Sequence, residues 1–262
     1  MSLRIRNLAS GSAGNATLVE ARGSQHTTRL LIDCGVRPAE LERRLQRCDL
    51  SVTDLDAVFI THEHSDHVGH ARTIVERHGI PLWMSDGTRR ACDAHTWNLQ
   101  PGQLGLARDG EPLDILDLRL LPFTVPHDAQ EPLQLCCTDG ARRLGVVTDL
   151  GHVSRHVVES LQNCHALFLE TNHEPDWVQR SSYPEFLKRR ILGDQGHLSN
   201  TQAAELLAQV QHAALRTVMA AHLSERNNHP DQARAALAGV LGCAPLEIPV
   251  ADPVDGSAWF DV

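Results

Sequence analysis

The sequence predicts an α/β protein whose strands deliver polar side chains to a common edge. Three observations carry this. Short apolar β-like runs alternate with stretches of helical spacing along the chain. Six of those runs end within about two residues of a potential metal ligand, at Asp33, His62, His127, Asp149, Glu170 and His222. Four potential ligands also crowd into one hexapeptide, His62-Glu63-His64-Ser65-Asp66-His67. Strands that share a sheet bring their exit loops to one edge, where residues distant in sequence converge.

Residues 3–8 and 16–20 read as strands around Ser10-Gly11-Ser12-Ala13-Gly14-Asn15. Two glycines there permit a tight turn, and a plain hairpin is preferred over a phosphate-binding loop. Arg29-Leu30-Leu31-Ile32 is the next β-like run, ended by Asp33. Pro38 to about Cys48 has helical spacing, with Leu41 and Leu45 on one face. Leu55 to Ile60 is a strand leading into the histidine-rich loop. Val68 is expected to open a helix that buries Ala71, Ile74 and Val75 and stops at Gly79, before Pro81. Residues 82–84 form a short strand, 87–97 a helix, and the Gly- and Pro-rich segment 100–112 a loop.

Residues 119–125 make a strand that runs to Pro126-His127. Residues 133–138 and 144–148 pair across Asp139-Gly140 as a hairpin, the second strand running into Asp149. Val153 to about Gln162 is helical, and residues 166–169 form a buried strand ending at Glu170. Residues 176–196 are expected to be less regular. Their basic cluster, Lys188-Arg189-Arg190, reads either as a phosphate-steering group or as a solvated helix face. Ser199 and Gln202 make a capping box for a helix with Ala203, Leu206, Leu207 and Val210 on its apolar face. Residues 217–221 are a strand delivering His222, residues 230–241 a last helix, and the tail adds a strand near Trp259-Phe260.

With 42% apolar residues in 262, the chain can bury a substantial core. Its N-terminal residues show no long apolar segment, so neither a secretory signal nor a membrane span is expected. Seven cysteines without a C-x-x-C pair fit the reduced thiols of a cytoplasmic protein, with Cys34 as buried filler. A formal charge of −9 weighs against a broad nucleic-acid-binding face. It does not exclude a phosphate substrate, because bound cations compensate charge locally.

Imidazole and carboxylate ligands suit zinc, with manganese and iron as competitors. Two cations are assigned: His62, His64 and His127 for the first, Asp66, His67 and His222 for the second, and Asp149 between them. Two cations close together lower the pKa of a shared water towards neutrality. Asp33 is expected to accept an imidazole N–H and fix that ring. Most of the remaining histidines (16 in all) read as structural, with His152 and His173 as candidates for the pocket wall.

His62-x-His64-x-Asp66-His67, with Asp33 before it and His127, Asp149 and His222 after it, resembles the metallo-β-lactamase-fold hydrolases over residues from about 5 to 225. The resemblance implies a four-layer αβ/βα sandwich with a dinuclear metal site at the sheet edge. No repeat or linker is evident, so residues 1–262 are expected to form a single metallo-β-lactamase-like domain. Glu170-Thr171-Asn172-His173, Gly196-His197-Leu198-Ser199 and Ala221-His222-Leu223-Ser224-Glu225-Arg226 resemble the phosphodiesterase branch typified by transfer-RNA 3′-processing endonucleases. There a Glu orients a His that protonates the leaving oxygen, roles that Glu170 and His197 match. Asp66 joins them as a catalytic residue as well as a ligand.

Ser10-Gly11-Ser12-Ala13-Gly14-Asn15, Gly196-His197-Leu198-Ser199-Asn200 and His222-Leu223-Ser224-Glu225-Arg226-Asn227-Asn228 resemble the small bacterial proteins of the YycJ/WalJ type. That likeness implies a phosphodiesterase, an exonuclease on DNA. Only 73 positions separate Asp149 from His222 (222 − 149), too few for the inserted domain of larger RNA-degrading relatives. No long arm of the kind that grips transfer RNA is visible either. The expected activity is metal-dependent hydrolysis of a phosphodiester, with DNA, RNA and small cyclic phosphates left open. The alternatives are an acyl hydrolase, thioesterase or lactonase, using the same two cations, and a non-catalytic metal-binding module. No membrane partner is expected, and no motif speaks to oligomeric state.

Overall fold

The computed structural model describes residues 2–24 and 26–262. Strands β1 (Ser2–Ala9), β2 (Ala16–Arg22) and β3 (Thr27–Ile32) form an antiparallel meander, and β4 (Ala57–Phe59), β5 (Leu82–Met84) and β6 (Leu104–Leu106) continue the same sheet in parallel. A second sheet follows. There β7 (Leu113–Ile115), β8 (Leu118–Thr124), β9 (Leu133–Thr138) and β10 (Arg143–Val147) are antiparallel neighbours, and β11 (Ala166–Glu170) and β12 (Thr217–Ala221) add in parallel. The tail returns as β13 (Phe260–Asp261) beside β1.

Alternation along the buried strands places three cores. In β11, Phe168 faces the opposite sheet while Leu167 and Leu169 face helices; in β3, Leu30 and Ile32 face inward and Leu31 outward. The central core thus lies between the sheets and includes Ile5, Phe59, Leu135 and Met219. Helices α1 (Pro38–Gln46) and α2 (Ala71–His78) cover the first sheet through Leu41, Leu45, Ile74 and Val75. Helix α3 (Asp86–Ala91) follows β5. Helices α4 (Arg155–Leu161), α7 (Asn200–Val210) and α8 (Pro230–Leu241) cover the second sheet through Leu161, Leu206 and Leu237. Each such leucine contributes about 1.5–3 kcal/mol by leaving water. The result is the four-layer αβ/βα sandwich that the resemblance implies.

Four local expectations need correction. The helix expected from Val68 starts at Ala71, because the backbone of 64–70 is already engaged: Cys34 N donates to His67 O (2.8 Å) and His70 N to Cys34 O (2.9 Å). The helix over 87–97 is α3 followed by a 3-10 turn at Ala94–Thr96, the break falling at Asp93, whose φ is +49°. The 100–112 loop contains β6, three residues pairing with β5 at the sheet margin. Residues 176–196 are more regular than expected. They hold α5 (Pro175–Arg180) and α6 (Glu185–Leu192), both short and neither carrying a long buried face. No helix among the described residues is long and apolar enough to cross a membrane.

Candidate metal centre and active site

The strands that deliver the polar residues end abruptly. Asp33 follows β3 at φ +63°, Asp149 lies two residues past β10 at φ +56°, and His222 follows β12 at φ +53°. A non-glycine residue in the left-handed region carries a conformational cost, and its recurrence at three strand ends marks the rim as a site held by its surroundings.

The surroundings are specific. Asn15 N donates to Asp66 O (2.7 Å), and the Asn15 side chain reaches the Asp66 carbonyl (3.3 Å) and stands 3.0 Å from His67 Nε2. Ser10 Oγ accepts from His222 N (2.8 Å). The Ser10–Asn15 turn is therefore more than a hairpin: it clamps the hexapeptide to the β12 exit. Gly35 lies against the same loop, and a Cβ there would fall on the Asp66 carbonyl.

Three imidazoles converge. His62 Nε2 is 3.0 Å and His127 Nε2 3.2 Å from His64 Nδ1. Thr61 Oγ1 spends its one proton on Asp33 (3.0 Å) and so accepts from His62 Nδ1–H (3.0 Å), while His127 Nδ1–H donates to Gly196 O (3.1 Å). Both partners leave Nε2 as a lone pair. Burial lowers the pKa of His62 well below the usual histidine value, helped by His67, and lowers that of His127. Neutral imidazole is the form that ligates a cation.

The second cluster lies beside it. Asp33 Oδ2 accepts from His67 Nδ1 (2.7 Å), turning His67 Nε2 towards Asp149 Oδ2 (3.2 Å) and Asp66 Oδ2 (3.5 Å). His222 Nε2 is 4.0 Å from Asp66 Oδ2 and, like Asp149 Oδ2, is buried with no hydrogen-bond partner. Asp149 Oδ1 stands 3.9 Å from His127 Nε2, so this carboxylate lies between the two clusters. Imidazole nitrogens and carboxylate oxygens packed this closely out of water need a positive charge between them, a proton or a metal cation. Burial pushes the His67 pKa down, but Asp149 and Asp33 outweigh it and hold it well above the ordinary value. Burial acts the same way on His222, where Asp149 and Glu170 prevail and raise it to about 9. These orphaned atoms and this donor set fit divalent cations. His62, His64 and His127 can hold one, Asp66, His67 and His222 another, with Asp149 reaching towards both.

Glu170 is buried beneath the rim. Its Oε1 accepts from His197 Nδ1 and from His222 Nδ1, each at 2.9 Å, and its Oε2 from Leu150 N (2.9 Å) and Leu198 N (3.0 Å). Burial favours the neutral acid, yet His197 and His222 outweigh it and bring the Glu170 pKa down to about 2. A cavity of about 630 Å³ opens over the clusters, lined by His64, Asp66, Asp149, His197 and His222 among others. The sequence links Glu170 to His197 alone; its hold on His222 depends on β11 and β12 lying side by side. Asn15, Thr61 and Asp128 carry no role in the linear sequence; the Asp128 carboxylate lies 3.5 Å from His127 Nε2 and pairs with Arg190. Proximity of Thr61 and Asp128 to the histidines was the only available clue. His152 and His173 do not line this cavity: His152 donates outward to Asp194 O (2.8 Å), and His173 is buried behind it.

Residues 28–222 match the model of the Beta-lactamase superfamily domain. This chain belongs to the β-lactamase superfamily. Within it, the chain is 31% identical over 241 residues to exodeoxyribonuclease YycJ of Bacillus anthracis, covering 92% of this chain and 90% of that protein. It is 29% identical over 245 residues to exodeoxyribonuclease WalJ of Streptococcus pneumoniae, covering 93% and 90%. Among solved structures, the metallo-β-lactamase-fold protein YhfI of Bacillus subtilis superposes over 100% of both chains with a TM-score of 0.75 at 16% identity. A diphosphatase of the PhnP family covers 100% of this chain and 98% of its own with a TM-score of 0.65, also at 16% identity. These two structures share the fold described above.

Proposed function

We propose that this superfamily member is a metal-dependent phosphodiesterase that acts on nucleic acid as a DNA exonuclease. The observation that carries the reading is His197 beside Glu170. A ring partly open to the cavity is anchored through Nδ1 by a fully buried carboxylate, which leaves Nε2 for a substrate. Expulsion of an unactivated alkoxide from phosphorus needs a proton at the leaving oxygen, and a positioned acid supplies roughly 10²–10⁴-fold. Acyl transfer from a thioester needs no such acid. The names of the bacterial relatives, both exodeoxyribonucleases aligned over about nine-tenths of each chain, point the same way.

Two cations, zinc in our assignment, would be held by the seven ligands named above and would supply polarisation of the phosphoryl oxygens and activation of water. The remaining work belongs to the chain. Thr61 and Gly196 hold His62 and His127 in the tautomers that expose Nε2, and Asp33 does the same for His67. Asp66, partly open to the cavity, is the carboxylate placed to bind the attacking water. Glu170 fixes the His197 ring, and His197 gives its Nε2 proton to the departing oxygen. A reducing, cytoplasmic setting goes with this reading, since all seven cysteines are free thiols.

The test compares His197→Ala with wild type on a DNA dinucleotide and on bis-p-nitrophenyl phosphate, whose leaving group departs unaided. A loss confined to the unactivated diester supports the acid role. Equal, undiminished rates on both substrates remove it, and activity on thioesters or lactones in preference to diesters replaces the reading with acyl hydrolysis.

A further inference from the structure

The chain has ten aromatic residues other than histidine: five Phe, four Trp and one Tyr. Seven of them are buried in, or pack against, the three cores. The other three, Trp177, Tyr183 and Phe186, fall together on α5, α6 and the turn between them. Trp177 is 41% and Phe186 68% exposed, in a chain that otherwise keeps its aromatic rings covered. Exposed rings contribute little to folding, so a cluster of them beside a catalytic cavity calls for a ligand.

The cavity over the metal-ligand clusters does not end at the reacting groups. Tyr183 and Arg226 form its far wall and are also the near wall of a second cavity of about 390 Å³. Trp177, Arg180, Ser181 and Ser182 line that second space. The Arg226 guanidinium lies 5.8 Å from the centre of the Tyr183 ring, and no carboxylate is within ion-pair distance of it among the described residues. Arg180 meets only Asp176, at 3.6 Å with both side chains largely in water, a pair that holds it weakly. A groove therefore leaves the reaction centre past alternating flat rings and available guanidinium groups.

We infer that Trp177, Arg180, Tyr183 and Arg226 form a track for the single-stranded flank of a polynucleotide, holding at least one base and one phosphate beyond the scissile position; this deepens the phosphodiesterase reading and rests on it. A single strand repeats the two features the groove repeats, a planar base and an anionic phosphate. Stacking on aromatic rings tolerates any base, and arginines follow the backbone. A duplex hides its base faces in its own stack and offers Trp177 nothing to cover. A cyclic mononucleotide fits within the first cavity and leaves the second without a role. The overall charge of −9 makes distant attraction weak, so the hold comes from these few arginines at close range.

The test uses the full-length, zinc-loaded protein and fluorescently labelled oligothymidylates with phosphorothioate linkages that resist cleavage. Binding is measured by anisotropy. The hexanucleotide should bind about tenfold more tightly than the dinucleotide, the contribution of roughly one stacked base. Trp177→Ala and Arg226→Ala should each erase that length dependence, and Trp177→Phe should keep most of it. Equal affinity for both lengths in the wild type, persistence of the length dependence in Trp177→Ala, or tighter binding of a duplex would overturn the track. The two readings fail separately. Length-dependent binding with no hydrolysis of any diester keeps the track and removes the phosphodiesterase; hydrolysis of diesters without length dependence does the reverse.

Discussion

Glu170 Oε1 lies 2.9 Å from His222 Nδ1, and the same oxygen also accepts a hydrogen bond from His197 Nδ1 at 2.9 Å. One carboxylate thus orients a metal-ligand candidate and the proposed acid together, so the two rings cannot be adjusted independently.

Glu170→Gln tests this coupling. The carboxylate accepts four N–H groups, two on each oxygen. An amide offers one acceptor oxygen, so its NH₂ must face either two imidazole N–H groups or two backbone N–H groups. The variant should lose about 3 kcal/mol of stability, the upper range for buried donors left without acceptors. It should also lose zinc affinity and diester hydrolysis together. Urea unfolding with zinc titration checks this, and a variant with full zinc affinity would show that His222 does not depend on Glu170.

Zinc binding should release protons. The pKa of His222 is raised to about 9, by Asp149 and Glu170 against the opposing effect of burial, and that of His67 is held well above its usual value in the same way. The His222 ring is therefore protonated at pH 7 before a cation enters and must give up that proton, and the shift at His67 acts in the same direction. Calorimetric titration at pH 7 in two buffers of different ionisation enthalpy should give different apparent enthalpies. Affinity should fall about tenfold per pH unit for each proton released. Chelation should lower the melting temperature and abolish hydrolysis.

Gly35→Ala should be far more damaging than its size suggests. A Cβ at this position would collide with the Asp66 carbonyl and approach Asn15 N to 2.8 Å, both of them backbone. The expected cost is about 2–3 kcal/mol, with a loss of zinc affinity because Asp66 and His67 move. Gly239→Ala is the control. It lies in α8 with nothing within 4 Å of the added carbon and should be neutral or stabilising by about 0.5–1 kcal/mol. Thermal melts of both variants, with and without zinc, provide the comparison.

Glu20 is a buried acid away from the site. It meets Arg4 (2.6 Å), Arg22 (2.8 Å) and Arg29 (2.9 Å) on the first sheet. Burial acts to raise its pKa, but Arg22, Arg4 and Arg29 outweigh it and leave it below 4.5. A depressed folded pKa stabilises the fold above the unfolded value and loses that stabilisation as pH falls through the folded one. Glu20→Gln should cost about 3 kcal/mol at pH 7, and the gap from wild type should narrow as pH drops below about 4.5. Denaturant midpoints at pH 7 and at pH 3.5 measure it; a constant gap would mean that the arginines do not act through charge.

Much of this molecule was legible in its linear order. Six apolar runs closed by His, Asp or Glu placed β3, β4, β8, β10, β11 and β12 and put polar residues at their ends. The Ser199–Gln202 box and the Pro230–Leu241 spacing located α7 and α8, because capping and helical periodicity are local properties of a few consecutive residues. Tertiary structure decided what those residues do to one another. The double duty of Glu170 requires β11 and β12 to be neighbours, the Asn15 clamp requires the first turn to fold over the hexapeptide, and the Trp177–Tyr183–Arg226 groove joins segments about forty residues apart. Helices as short as α5 and α6 bury too little to leave a periodic trace. Local pattern reports the burial of a side chain's own face, whereas sheet pairing and loop packing determine which distant atoms meet.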